Sequence, residues 1–258
     1  MNEIVNVVVG TPIYRQGAYI LDKFMLNQKE IQQNYPSSEL VLATNENDFG
    51  EELKSQLSFW GIRGKVIFYK TIKPDYARSR TWNIACAREA IRQYTLSQTK
   101  ASYLLFLDAD MTFDPLVIKI MKKEIQGYDV VFSGYASRDF KGYELGAGCC
   151  MLNRRTLEKI SFRCLEFKNG EVIREGCMRE LDLIKLGSKV KKGFFLCINH
   201  YKSKNEAKSV DPQPLGLFRS ITTSRFVRYI LISASIMLRH DISGRLARLV
   251  YRFLPEIR

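Results

Sequence analysis

Two carboxylates one residue apart, Asp108 and Asp110, follow the apolar run YLLFL at 103–107, where a strand buried on both faces would emerge into solvent. Hard cations such as Mg²⁺ and Mn²⁺ take oxygen ligands and commonly bridge one or two carboxylates to substrate phosphates, so this spacing suits a metal-held diphosphate. Asp residues can also cap the next helix, but Asp114 followed by Pro115 supplies an N-cap and a first helical residue, which leaves Asp108 and Asp110 for another task. One of only two histidines, His200, ends the run FFLCINH. Neutral imidazole is a competent ligand for Mn²⁺, although a solitary His at a strand end is more often just a surface residue. Arg78, Arg80 and Asn83 open the helical segment ARSRTWNIACAREA, and arginine clamps phosphate oxygens well. The alternative is an exposed basic face on a helix whose Trp82, Ile84 and Ala85 pack on the sheet.

The elements that must position these residues alternate in a βαβ rhythm. IVNVVVG is followed by a helix over about Gln16 to Asn34, ELVLATN by a helix around Phe49 to Trp60, and KVIFYK by a helix from about Ala77 to Tyr94. SYLLFLDAD then leads into a helix opened by Asp114. The expected fold class is α/β, with a mainly parallel central sheet sandwiched by helices. Ligands of such sheets bind beyond the carboxyl ends of the strands, here Thr11 to Tyr14, Thr44 to Asp48 and Asp108 to Asp110. After residue 128 the pattern becomes mixed, with DVVFSGYAS, a Gly-rich GYELGAGCCML, helices near Arg155 to Cys164 and Gly176 to Leu186, and GFFLCINHY. The expected division is a catalytic domain over 1–204, with a nucleotide-binding half to about 112 and an acceptor half from 113. A linker over 205–217 and a basic helical tail over 218–258 follow.

At 258 residues with 46% hydrophobic and 26% charged residues, the chain is long enough for one large core and too apolar for extended disorder. The net charge of +13 favours polyanions such as nucleotides or phospholipid headgroups. No helix-turn-helix, zinc-finger or RNA-recognition motif is present, so no specific nucleic-acid partner is expected. The six cysteines lack C-x-x-C spacing and read as reduced core residues. The N-terminus has no basic segment ahead of its apolar stretch, so a cytoplasmic protein is expected. Residues 218–258 carry eight Arg and two acids. Their longest uncharged run, Tyr229 to Leu238, is too short to span a bilayer. Arg225, Arg228 and Arg239 share one helical stripe, and Arg245, Arg248 and Arg252 another beside Leu246, Leu249, Val250 and Phe253. Such helices suit an anionic membrane surface, packing on the catalytic domain, or a dimer contact.

The order of TPIYR after the first strand, LFLDAD, GAGCCML and the late INHY resembles a family 2-type glycosyltransferase of the GT-A fold, over about residues 4–202. The resemblance implies that Pro12 and Tyr14 edge the base pocket, that Asp108 approaches ribose and metal, and that Asp110 ligates the metal beneath the diphosphate. It places His200 as a third metal ligand, turns Arg80 and Asn83 toward the nucleotide, and sets Gly148 on the acceptor side. The second strand departs from the family's acidic ending, with ATNEND leaving Asn45 and Asp48 as candidates for base and ribose. Inverting transfer needs a carboxylate to take the acceptor hydroxyl's proton. The family offers Glu-Asp ahead of a helix, whereas Glu175-Gly176 stands here, making Glu175 the expected base, with Asp182 and Glu180 behind it.

The implied function is metal-dependent transfer, with Mn²⁺ or Mg²⁺, from a nucleotide-sugar donor to a hydroxyl or lipid-linked acceptor. Two other classes share features of the sequence. A sugar-phosphate nucleotidyltransferase would need a Gly-rich basic loop after the first strand, which TPIYRQGAY matches poorly. A non-catalytic basic protein would act through the tail on membrane or nucleic acid.

Overall fold

A computed structural model describes residues 5–71, 80–137, 142–166 and 172–215, with a few helical positions between 227 and 234. Its first half runs β1 (Val7–Pro12), α1 (Leu21–Asn34), β2 (Ser38–Thr44), α2 (Asn47–Trp60), β3 (Gly64–Phe68), α3 (Arg80–Gln98) and β4 (Tyr103–Leu107). The chain continues through β5 (Met111–Phe113), α4 (Val117–Glu124), β6 (Val130–Ser133), β7 (Tyr135–Ala136), β8 (Tyr143–Glu144), β9 (Cys149–Asn153) and α5 (Arg154–Leu157). Last come β10 (Leu165–Glu166), β11 (Val172–Ile173), α6 (Glu175–Lys185), β12 (Val190–Gly193), β13 (Ile198–Ser203) and β14 (Glu206–Val210).

A seven-stranded sheet of order β12-β6-β9-β4-β1-β2-β3 forms the centre, parallel except for β9, which runs antiparallel to both neighbours. Alternate residues of each strand point to opposite faces. Val7, Val9, Leu40, Leu42, Leu105 and Leu107 pack in one cluster with Phe24 of α1, Leu53 of α2 and Ile118 of α4. Val8, Val41, Leu104 and Phe106 pack in the other with Ile91 of α3, Leu157 of α5 and Leu183 of α6. Burial on both faces is why these strands read as unbroken apolar runs. A smaller antiparallel sheet, β14-β13-β5, stands beyond the end of β4.

Several boundaries differ from the sequence expectation. Helix α1 starts at Leu21 because Arg15–Gly17 first makes a tight 3-10 turn, with the Gly17 N–H donating to the Tyr14 carbonyl. Helix α4 starts at Val117 because Asp114 makes a turn, its carboxylate accepting the Leu116 N–H at 2.8 Å. The helix expected near 155–164 shrinks to α5, and Phe162 turns inward against Phe106 while its N–H donates to Glu89. The segment read as a linker opens with β14, paired to β13. Most of the tail over 218–258, and Arg78, lie outside the described residues. Among those described, no helix is long and apolar enough to cross a membrane. All six cysteines are free, and burial pushes the Cys150 thiol up to about 12, so it packs as an inert apolar group.

Candidate active site

Asp108 leaves β4 with its N–H donating to the Gly148 carbonyl at 3.1 Å, and the Met111 N–H reaches back to the Asp108 carbonyl, closing a turn. Strand β13 then pairs antiparallel with β5, setting His200 opposite Met111 and letting the Tyr201 N–H donate to the Asp110 carbonyl at 2.9 Å. Two strands far apart in sequence thereby bring His200 Nε2 within 3.4 Å of Asp110 Oδ2. His200 is only 7% exposed. Its Nδ1 lies 2.8 Å from the Ala136 carbonyl, which can only accept, so Nδ1 carries hydrogen and Nε2 is the free valence of a neutral ring.

That geometry tests the expected metal. A neutral His200 would point a lone pair at a carboxylate, an arrangement that calls for a proton or a cation between them. Burial alone would lower the imidazole pKa, but the hydrogen bond and charge of Asp110 outweigh it and the pKa is raised. The 3.4 Å separation also suits two ligands each roughly 2.1 Å from one shared cation. A carbonyl fixing Nδ1 so that Nε2 faces the ion is the usual support for a ligating His. Among the described residues no three His, Cys, Asp or Glu side chains form a ready-made cluster. Asp108 has its Oδ1 engaged by a guanidinium.

Arg88, which sequence reasoning missed, takes that oxygen. Its Nη2 donates to Asp108 Oδ1 at 2.9 Å and its Nη1 to Glu175 Oε2 at 2.8 Å, while Arg179 Nη1 holds Glu175 Oε1 at 3.2 Å. Arg88 is 6% exposed and packs over the Phe106 ring, and Arg179 packs over Phe132. Burial would lower the Arg88 pKa, but Glu175 and Asp108 more than offset it and hold the guanidinium charged. Helix α3 carries Arg88 on its sheet-facing side between Ala85 and Ile91, and that apolar spacing was the available signal.

The expected catalytic carboxylates all stand in ion pairs. Glu175 reaches the site 4% exposed, with Oε2 accepting from Arg88 and Oε1 from Arg179. Asp182 is committed to a two-pronged ion pair with Arg163, at 2.8 Å for Arg163 Nη2 and shorter still for Nη1. Glu180 pairs with Lys192.

The nucleotide-side candidates collect at the ends of β1 and β2. Pro12 is buried as the last residue of β1, Tyr14 is half-buried with its ring against Gly17, and Asn45 Nδ2 donates to Asn83 Oδ1 at 3.4 Å. Arg80 stands exposed at the first position of α3. Tyr69, just beyond β3, joins Tyr14 and Glu46; burial first, then the charges of Cys86, Glu46 and Tyr14, raise its pKa. A cleft of about 430 Å³ lined by Arg15, Glu46, Asn47, Asp48 and Phe49 adjoins this group. Asp108 and Asp110 do not line it. Gly148 is buried under Tyr135, another missed residue, where a Cβ would come within 2.9 Å of the ring and of Met111 Cε. Tyr135 packs edge-on to His200, and burial with the charges of Glu144 and Asp108 keeps its hydroxyl protonated.

No family model matches the sequence, and no curated protein matches it. Solved structures do. The mannosyltransferase PcManGT from Pyrobaculum calidifontis, in complex with GDP-Man and Mn²⁺, aligns with a TM-score of 0.52 at 12% identity, over 99% of this chain and 74% of its own. S. aureus TarS 1–349 in complex with UDP-GlcNAc aligns with a TM-score of 0.52 at 13% identity, over 97% and 72%. Identity this low speaks to fold alone. The chain has the α/β architecture of GT-A-like glycosyltransferases, with a mostly parallel seven-stranded sheet.

Proposed function

We propose that this chain is a metal-dependent glycosyltransferase that takes a sugar from a nucleoside diphosphate-sugar and passes it to a hydroxyl or lipid-linked acceptor. The observation that carries the reading is the Asp110–His200 pair, a carboxylate oxygen and a ring nitrogen 3.4 Å apart at a strand end. PcManGT and TarS, which share the fold, were solved with a nucleotide sugar bound, and PcManGT with Mn²⁺ as well. Asp110 and His200, with the second oxygen of Asp108, would hold Mn²⁺ or Mg²⁺, which would offset the charge of the leaving diphosphate. Pro12, Tyr14, Asn45 and Asn83 would border the base and ribose, and Arg80 would face the phosphates. Gly148, which lets Tyr135 and Met111 close over it, would lie on the acceptor side.

The deciding experiment is donor hydrolysis across a panel of nucleotide sugars with Mn²⁺, paired with calorimetric binding of the nucleoside diphosphates. Asp110→Ala is expected to abolish metal-dependent binding and turnover together while the variant stays folded. A wild-type chain that neither binds nor hydrolyses any member of the panel sinks the proposal.

A further inference from the structure

We infer that Arg88 is a positioning residue: anchored by Glu175, it fixes the Asp108 carboxylate so that one oxygen is spoken for and the other is presented at the end of β4. The inference rests on the glycosyltransferase reading for its consequence and on geometry for its substance. Asp108, Arg88, Glu175 and Arg179 form one chain of alternating charge, joined at 2.9, 2.8 and 3.2 Å. Three of the four are almost wholly buried. The Nε groups of both arginines are buried with no hydrogen-bond partner. A buried ionic chain with unmet donors is a poor way to stabilise a fold, since apolar residues of similar volume generally do as well. Its presence is better explained by what its outer end touches, and that end is Asp108.

The elements bear this out. Phe106 and Asp108 lie two residues apart, so strand alternation turns Asp108 toward the face covered by α3 and α6. Left alone, a carboxylate there could rotate freely about its terminal torsion. The guanidinium of Arg88, planar and packed over Phe106, removes that freedom. Glu175 sits at the first position of α6 and is itself gripped by Arg179 one turn on, so the whole strut is referred to a rigid helix. The carboxylate expected to serve as base therefore acts at one remove, through Arg88.

The test uses the 258-residue chain, the single variants Arg88→Met, Arg88→Lys, Glu175→Gln and Asp108→Asn, and the Arg88→Met/Asp108→Asn double variant. Crystal structures of the metal-free proteins read the Asp108 side-chain torsions directly, and calorimetry with Mn²⁺ plus UDP or GDP reads the consequence. Arg88→Met is expected to release Asp108 into another rotamer and to weaken metal-dependent nucleotide binding about tenfold. Arg88→Lys keeps the charge but can hold only one of the two carboxylates, so it should fold even if Arg88→Met does not. Its expected loss is intermediate, as is that of Glu175→Gln. A loss in Arg88→Met that multiplies with that of Asp108→Asn, instead of being masked by it, overturns the inference. So does an unchanged Asp108 rotamer in whichever Arg88 variant folds. If the wild type binds no Mn²⁺-nucleotide, the glycosyltransferase reading fails, and the Asp108 torsions still decide the role of Arg88.

Discussion

At the scale of single residues, chemistry was legible where type and local context coincided and illegible where a partner lay far away in sequence. Asp108 and Asp110 announced themselves because carboxylates at the end of YLLFL have no structural task left once Asp114 makes its own turn. Arg88 did not, because one more arginine in RTWNIACAREA looks like a solvated charge until Asp108 and Glu175 are brought to it from 20 and 87 residues away. Glu175 was legible as a carboxylate at the head of a helix, but nothing local reveals that two guanidiniums close on it. His200 yields a prediction whose sign follows from its raised pKa. In the metal-free chain, folding raises this pKa above the ordinary value of about 6.5. The stabilisation is therefore fully present below that value and is lost as pH rises through the folded pKa. Thermal melts of the metal-free wild type and His200→Asn should thus differ most at acid pH and converge toward alkaline pH. A constant gap would refute the assignment. Mn²⁺ binding should run the other way, strengthening as the ring loses its proton.

At the scale of elements, the βαβ half was legible because buried parallel strands are continuous apolar runs and their helices are long. The second half was not, because β5, β7, β8, β10 and β11 are two or three residues each, too short to show a period, and exist through pairing alone. The register that matters most, β5 against β13, joins residues 111 and 200 and has no local signature. Helix α3 lies close over β1 at Gly10, where an added Cβ would lie 2.5 Å from Ile91 Cγ2 and 3.1 Å from Leu104 Cδ1. Neither neighbour is free to move, as both are fully buried in one cluster. Gly10→Ala is therefore expected to push α3 outward and cost roughly 1–3 kcal/mol, read as a lower urea midpoint. Since α3 also carries Asn83 and Arg88, the same variant should weaken Mn²⁺-nucleotide binding although residue 10 touches no candidate ligand. Binding that survives at wild-type strength in a destabilised Gly10→Ala would show that α3 does not set the site's geometry.

At the scale of the whole molecule, a mostly parallel sheet gathers the candidate residues at the carboxyl ends of its strands, where an α/β architecture leaves room for a ligand. The net charge of +13 favours phosphates, and the segment 218–258, apart from that edge in sequence, carries eight of the arginines against two acids. If those residues hold the protein to an anionic membrane, their arginines should act as independent headgroup contacts, each worth roughly 1 kcal/mol near the surface. Replacing Arg245, Arg248 and Arg252 with Gln removes three such contacts and leaves the apolar residues between them intact. Partitioning of the full-length chain onto vesicles containing phosphatidylserine, measured by co-sedimentation, should then fall by about two orders of magnitude. Raising the salt should weaken wild-type binding more steeply than that of the triple variant, which keeps five of the eight tail arginines, because screening acts on the charges that remain. Transfer to a water-soluble acceptor should not change. If vesicle binding persists undiminished in the variant, the tail's arginines serve a contact within the protein or between two copies of it, and the acceptor need not be a lipid.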